Sequence, residues 1–113
     1  MVNGYFASAV AKYGLAEMLG KEISSMAQLA MDSEGFYEIY NPLTKKPDGG
    51  WQVGHQWDSV SNQTWSATAF IRSIVYGVFG IQLSETGITF APCLPENFGT
   101  VELKGIIKLN SSY

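Results

Sequence analysis

Cysteine and charged residues are both scarce in this sequence. The single cysteine, Cys93, excludes an internal disulfide and, with no second thiol at ligand spacing, a thiolate zinc site; its apolar neighbours favour buried packing. Charged residues make up 15% of the 113 residues, against roughly a quarter or more on a free-standing surface, so we expect part of the surface to meet protein. The formal net charge of −3 and the scattered Lys and Arg disfavour nucleic-acid and anionic-membrane partners.

Targeting and cofactor signals are also missing. The first residues lack a basic region, and no apolar run reaches the ~18 residues of a membrane span, so we expect neither a signal peptide nor a transmembrane helix here. The compartment is left open, since the leader of a longer secreted parent would lie upstream. No glycine-rich nucleotide motif is present. The sequence predicts no metal and no organic cofactor.

Three segments have the pattern of helices. Apolar residues recur at spacings of two to four over residues 4–19, which predicts an amphipathic helix that ends at Gly20. A shorter apolar stripe over residues 23–30 predicts a second helix, forming a hairpin with the first. Residues 62–80 open with polar capping residues and are apolar on nearly every face. This third helix should be buried on most sides, which requires more covering surface than the rest of the chain readily supplies.

The rest of the chain is a long loop and a β-prone tail. Residues 36–63 combine prolines, glycines and tryptophans, a mixture that excludes helix; long loops of this kind are often functional. After it, the runs 88–90, 101–103 and 106–109 predict three short strands. The predicted fold is therefore mainly α with a C-terminal β extension. We expect a helical segment over residues 1–80, including the loop, and a small β extension over 81–113.

Three segments follow one another in the chain and read GFYEIYNPLTKKP, QTWSATAFIRSIVYGVFGI and GITFAPCLPENFGTVELKGI. In this order they resemble the end of six-hairpin glycosidases with an (α/α)6 barrel. This clan includes processing glucosidase-like, mannosylglycerate hydrolase-like and glycogen-debranching-like enzymes. The segments are similar, respectively, to a catalytic Glu followed by an Asn-Pro-x-Thr-type turn, to the final barrel helix, and to the β extension packed on the barrel. Together they cover most of the chain.

The resemblance implies that the chain is a partial (α/α)6 toroid. Such barrels use twelve helices, and this sequence has enough for about three. The implied function is that of the C-terminal fragment of a glycosidase that hydrolyses O-glycosidic bonds with inversion, in which Glu38 serves as general base. The general acid has no matching position here. We therefore expect the chain alone to be inactive, and its implied partners are an oligo- or polysaccharide and the remaining helices of the parent barrel.

Glu38 is the candidate catalytic residue. Inverting hydrolysis needs an acid and a base whose carboxyl groups are roughly 6.5–9.5 Å apart. Glu38 lies between Tyr37 and Tyr40 beside a turn, where aromatic side chains could exclude water. The alternative is a solvated loop carboxylate. Asp58 is the next candidate, whereas Asp48 before two glycines is more simply a turn residue.

Five side chains are candidates for substrate binding. Trp51 and Trp57 offer flat faces on which sugar C–H surfaces can stack, and Gln56 can hydrogen-bond hydroxyls. Gln63 and Trp65 start the last helix and could orient a ligand or the catalytic carboxylate. Ordinary packing of the loop against the helices, and a capping role for Gln63 and Trp65, are the alternatives.

Other functions remain open at this point. A glycoside phosphorylase with the same barrel would use phosphate in place of activated water and would need no base. A non-catalytic carbohydrate-binding or interaction module would need only the tryptophans, and a truncated remnant would have no function of its own. A hydrolytic triad has little support, because no Ser or Cys lies in a recognisable nucleophile-elbow motif to accompany His55, the only histidine. If the chain occurs alone, its apolar helix faces predict self-association.

Overall fold

The computed structural model describes residues 2–105, which form three α-helices and two small antiparallel sheets. The helices are α1 (Val2–Lys12), α2 (Ala16–Asp32) and α3 (Thr64–Arg72), which continues as a π-helical turn, Ser73–Val78. The strands are β1 (Trp51–Gln52), β2 (His55–Gln56), β3 (Ile81–Ser84) and β4 (Gly87–Phe90), and a 3-10 turn follows at Glu96–Phe98. The mainly helical fold with a short strand region is confirmed. These elements form no barrel by themselves.

The first helix ends earlier than predicted, at a glycine in the left-handed conformation. Gly14 has a φ of 69°, and the N–H of Leu15 donates to the carbonyl of Val10 at 3.1 Å while that of Gly14 donates to Ala11 at 3.0 Å. This pair of bonds satisfies the last carbonyls of a helix and reverses the chain. The prediction of one helix over residues 4–19 is therefore wrong, although the helical hairpin itself is present.

Gly20 lies inside α2 and does not end a helix. It is buried, and a Cβ placed on it would be 2.8 Å from the Cβ of Pro95. A glycine within a helix costs roughly 1 kcal/mol relative to alanine, and here the close approach of α2 to the Pro95 segment offsets that cost. The predicted helix stop at Gly20 is a packing position instead.

The core between the helices is small. It consists of six buried residues, Ala7, Val10, Leu19, Ile23, Val78 and Cys93. Burial raises the pKa of the Cys93 thiol, as expected for a packed cysteine. The Cα radius of gyration is 16.5 Å, whereas a compact domain of a hundred residues has about 13 Å. The three helices therefore share one small core without covering the rest of their apolar surface.

The third helix lies where the sequence predicted it, but it is not buried on most sides. Its first turn exposes Trp65, and its end exposes Ile71 and Tyr76. Only the face toward α1 and α2 contributes to the core, through Ser73, Gly77 and Val78. The expectation of a largely buried helix is wrong for this chain, because the elements present cover only one of its sides.

The β extension differs from the prediction in the strands that form it. β3 pairs with β4 in register from Ile81 opposite Phe90 to Ser84 opposite Gly87, so the predicted strand at 88–90 is confirmed and β3 was missed. Residues 101–103 form no strand; Val101 instead packs against the helical core. The predicted strand at 106–109 lies outside the described residues. Across residues 2–105, no helix combines the length and apolar character needed to cross a membrane.

Candidate functional site

Residues 36–63, here called the aromatic lobe, fold back so that their two ends meet. The N–H of Gln63 donates to the carbonyl of Phe36 at 2.8 Å, and the N–H of Glu38 donates to the carbonyl of Val60 at 2.9 Å. Phe36 also packs its ring against Phe70 of α3, with centroids 5.5 Å apart. The base of the lobe is thus closed by backbone hydrogen bonds and anchored on a helix.

The hydroxyl of Ser59 forms two hydrogen bonds to the backbone next to Glu38. Ser59 Oγ accepts the N–H of Ile39 at 2.9 Å and donates to the carbonyl of the same residue at 2.6 Å. The preceding residue is bonded as well, since the N–H of Glu38 donates to Val60, and the carbonyl of Ile39 also accepts the N–H of Asp48 at 3.2 Å. The backbone around Glu38 therefore has a defined position.

The Glu38 carboxylate has no protein partner in the described part of the chain. The residue is half-buried, and neither a hydrogen bond nor an ion pair reaches its side chain from residues 2–105. Every buried side-chain nitrogen or oxygen in this range has a hydrogen-bond partner, so the oxygens of Glu38 must reach solvent. A fixed backbone and unpaired oxygens leave this carboxylate free to bind water or a ligand.

The tyrosines flanking Glu38 anchor the lobe to the end of α2. Their rings meet edge to face, with centroids 6.2 Å apart. The hydroxyl of Tyr40 accepts the N–H of Tyr37 at 3.1 Å, donates to the carbonyl of Gly35 at 3.1 Å and lies 3.1 Å from Ser33 Oγ. With its hydroxyl engaged three times, Tyr40 is a structural residue that supports the position of Glu38.

Asp48 belongs to a hydrogen-bonded turn, as the sequence predicted. Asn41 Oδ1 accepts the N–H groups of Leu43 and Thr44 at 2.9 and 3.0 Å, and its Nδ2 donates to Asp48 Oδ2 at 3.2 Å. The other carboxylate oxygen accepts the N–H of Gly50 at 2.9 Å. The bonds from Asn41 and then Gly50 lower the pKa of Asp48, which stays ionised and holds the turn.

The two lobe tryptophans lie at the open end of the β1–β2 hairpin, Trp51 as the first residue of β1 and Trp57 directly after β2. Trp51 pairs with Gln56 across the hairpin and is 71% exposed, and Trp57 follows β2 and is 48% exposed. The imidazole of His55 lies against the ring of Trp57, with centroids 4.6 Å apart, which matches an exposed loop histidine. Gln56 Nε2 donates to the carbonyl of Trp57 at 3.1 Å, so one of its donors is used within the hairpin.

Gly49 sets the position of this hairpin, and we expect its replacement to displace it. Gly49 is buried, and a Cβ there would overlap the carbonyl oxygen of Trp57. We expect Gly49→Ala to destabilise the lobe by about 1–3 kcal/mol, the usual cost of overpacking. Gly35→Ala is the matched control, since its Cβ would meet only Asn62 Oδ1 at 3.4 Å. Hydrogen exchange of the hairpin amides measures the effect; equal protection in both variants would contradict it.

Trp65 lines a groove to which the other predicted binding residues do not contribute. Trp65 lines a cleft of about 600 Å³ between α1 and α3, together with Tyr5, Thr64, Thr68 and Arg72; we call it the α1–α3 groove. No residue of the aromatic lobe lines this groove. The sequence-based reading did not identify Tyr5 or Arg72 as site residues. The available signal was that Arg72 is the only charged residue in the apolar segment 62–80.

Within residues 2–105, no group of three or more His, Cys, Asp and Glu is arranged to hold a metal ion. Asp58, the second carboxylate candidate, is exposed at the end of the hairpin segment.

Comparison with known protein families, with curated proteins and with solved structures finds no match for this chain.

Proposed function

We propose that this chain is the C-terminal part of a glycosidase that hydrolyses O-glycosidic bonds with inversion, and that Glu38 is its general base. The single observation that supports it most is that Glu38 combines a fixed backbone with a carboxylate that can accept hydrogen bonds. Its backbone is fixed by the Val60 hydrogen bond, and its carboxylate is unpaired within the described residues. A base that activates water needs this combination of a defined position and oxygens free to accept a proton.

The surface of the chain supports the same proposal. Large apolar side chains are exposed outside the α1–α3 groove on α1, on α2 and on the lobe, among them Val2, Met31 and Trp51. Exposed apolar surface of this extent is unusual on a monomer and is typical of a surface that contacts protein or ligand. The remaining helices of an (α/α)6 barrel would cover part of it and would supply the general acid. The lobe tryptophans would then face the saccharide.

The experiment that tests this proposal compares the chain alone with the chain joined to any sequence that its gene encodes in frame upstream. We expect the longer protein to hydrolyse a saccharide and to release a product of inverted anomeric configuration, measured by proton NMR. The 113-residue chain alone should show no turnover. Hydrolysis with retained configuration, or an upstream sequence without helical hairpins, would contradict the proposal.

A carbohydrate-binding module without catalysis is the second candidate, and the exposure of Trp51 favours it. In a binding module, Trp51→Ala should weaken saccharide affinity about tenfold, because a stacked ring contributes about 0.5–1.5 kcal/mol beyond its burial. Glu38→Ala should leave affinity unchanged. Isothermal titration with a panel of oligosaccharides measures both variants. Loss of binding with Glu38→Ala would argue against a pure module and for a site built around the carboxylate.

A further inference from the structure

The α1–α3 groove has a floor of small residues. A Cβ placed on Gly4 would lie 2.7 Å from the Cβ of Ala69, so the two helices are in close contact there. Above this contact the groove has a volume of about 600 Å³, within the roughly 300–1,000 Å³ of small-ligand sites. Because the side chains of the floor are small, a ligand has space between the larger side chains of α1 and α3.

The walls of the groove carry aromatic rings and hydroxyl groups. Tyr5 of α1 is 73% exposed and Trp65 of α3 is 50% exposed. Ser8, Thr64 and Thr68 add hydroxyl groups to the lining. The Ser8 hydroxyl donates to the carbonyl of its own helix at Gly4, 2.9 Å away, and so keeps acceptor capacity toward the groove. Flat rings beside hydroxyls are the lining that a sugar ring requires, with its apolar C–H face and its polar edge.

One end of the groove is cationic. Arg72 is the only charged residue in the lining, and no ion pair or hydrogen bond engages its guanidinium within residues 2–105. Its guanidinium carbon lies 4.9 Å from the ring centroid of Tyr76, a contact that restrains the orientation of the guanidinium. A restrained guanidinium with free N–H donors matches the two oxygens of a carboxylate.

The spacing of the two ends fits one ligand. Trp65 and Arg72 both line the groove and are seven residues apart on α3, which is roughly 10 Å along a helix axis. We propose that the α1–α3 groove binds a saccharide that carries a carboxylate, with a sugar ring against Trp65 and the carboxylate on Arg72. This binding does not depend on the proposed hydrolysis, because no residue of the aromatic lobe lines the groove.

The test uses the purified chain and a trimer of galacturonic acid, with the fully methyl-esterified trimer as the neutral ligand of the same shape. Isothermal titration calorimetry should show binding of the acid at least about tenfold tighter than of the ester, because a charge-assisted hydrogen bond is lost. Raising the salt concentration should weaken binding of the acid only. Equal affinity for acid and ester, or binding of neither, would overturn the proposal.

Variants locate the site. Arg72→Gln should remove the preference for the acid, and Arg72→Lys should restore it only in part, since a lysine lacks the planar fork. Lys12→Gln is the matched control, because it removes a positive charge of α1 outside the groove. Trp65→Ala should weaken both ligands, and Trp65→Phe should weaken them less. Far-UV circular dichroism checks that each variant stays folded.

Two results would overturn the groove as the binding site. One is an Arg72→Gln variant that still prefers the acid as strongly as Lys12→Gln does. The other is a chain that forms a dimer in light scattering and whose Trp65 is protected from solvent quenchers before any ligand is added. A second copy would then cover the groove instead of a saccharide.

Discussion

Glu38→Gln should reduce turnover in the proposed glycosidase by about 10²–10⁴-fold, the usual contribution of general acid–base catalysis. The amide keeps the shape of the side chain but cannot accept the proton of the attacking water. Because the backbone of Glu38 is held by Val60, its position should not change. Substrate affinity should therefore be nearly unchanged, so that kcat falls and KM does not.

The controls for this variant follow from the geometry of the lobe. Glu38→Asp keeps a carboxylate but draws it back by one methylene, so it should retain more activity than the amide. Asp58→Asn removes a nearby exposed carboxylate and should have little effect. Full activity of Glu38→Gln that depends on added phosphate would contradict hydrolysis and identify a phosphorylase. If Asp58→Asn abolishes turnover instead, the base has been misassigned.

Gly80→Ala should be the most destabilising glycine replacement in the fold. Gly80 is buried where the π-helical turn passes into β3, has a φ of 60°, and its carbonyl oxygen accepts the N–H of Ala91 at 2.8 Å. A Cβ there would overlap the Ala91 carbonyl and lie 2.6 Å from Pro92 N. The replacement should lower the free energy of unfolding by about 1–2 kcal/mol through left-handed backbone strain and by about 1–3 kcal/mol through overpacking.

Gly14→Ala separates these two effects. Gly14 has a φ of 69°, close to that of Gly80, yet within residues 2–105 no atom from a neighbouring element lies within 4 Å of its Cβ position. Its replacement should lower the free energy of unfolding by about 1–2 kcal/mol, from backbone strain alone. Guanidinium unfolding followed by tryptophan fluorescence should give a larger loss for Gly80→Ala. Equal losses of unfolding free energy in the two variants would contradict this. They would show that the backbone before β3 relaxes and that the overlap has no energetic cost.

The sequence predicted those elements whose signals are local. The helical pattern of residues 62–80 placed α3 correctly, and the glycines and prolines of residues 36–63 correctly excluded helix there, although the β1–β2 hairpin was not predicted. Gly14 and Gly20 could not be told apart in this way, because both follow apolar helical residues. What distinguishes them is a tertiary contact, since Pro95 packs on Gly20 from far along the chain. Local patterning contains no information on such a contact.

The candidate site was predictable in its residue types more than in its arrangement. The turn at Asp48 follows from residues adjacent in sequence, and it was predicted. The bond that fixes Glu38 comes from Val60, at the other end of the lobe, and no local pattern indicates it. The placement of Trp65 away from the lobe likewise depends on how α1 packs on α3. Closure of a long loop and the crossing of two helices are both set by tertiary contacts.

Because hydrogen bonds join the two ends of the lobe, its tips can vary independently of its base. The turn at Leu43 and the hairpin end at Val53 are exposed and lie between the joined ends at Phe36 and Gln63. Insertions or substitutions there would reshape the outer rim without shifting the carboxylate. The outer turns of the lobe could therefore change in sequence over evolution while the position of Glu38 stays the same.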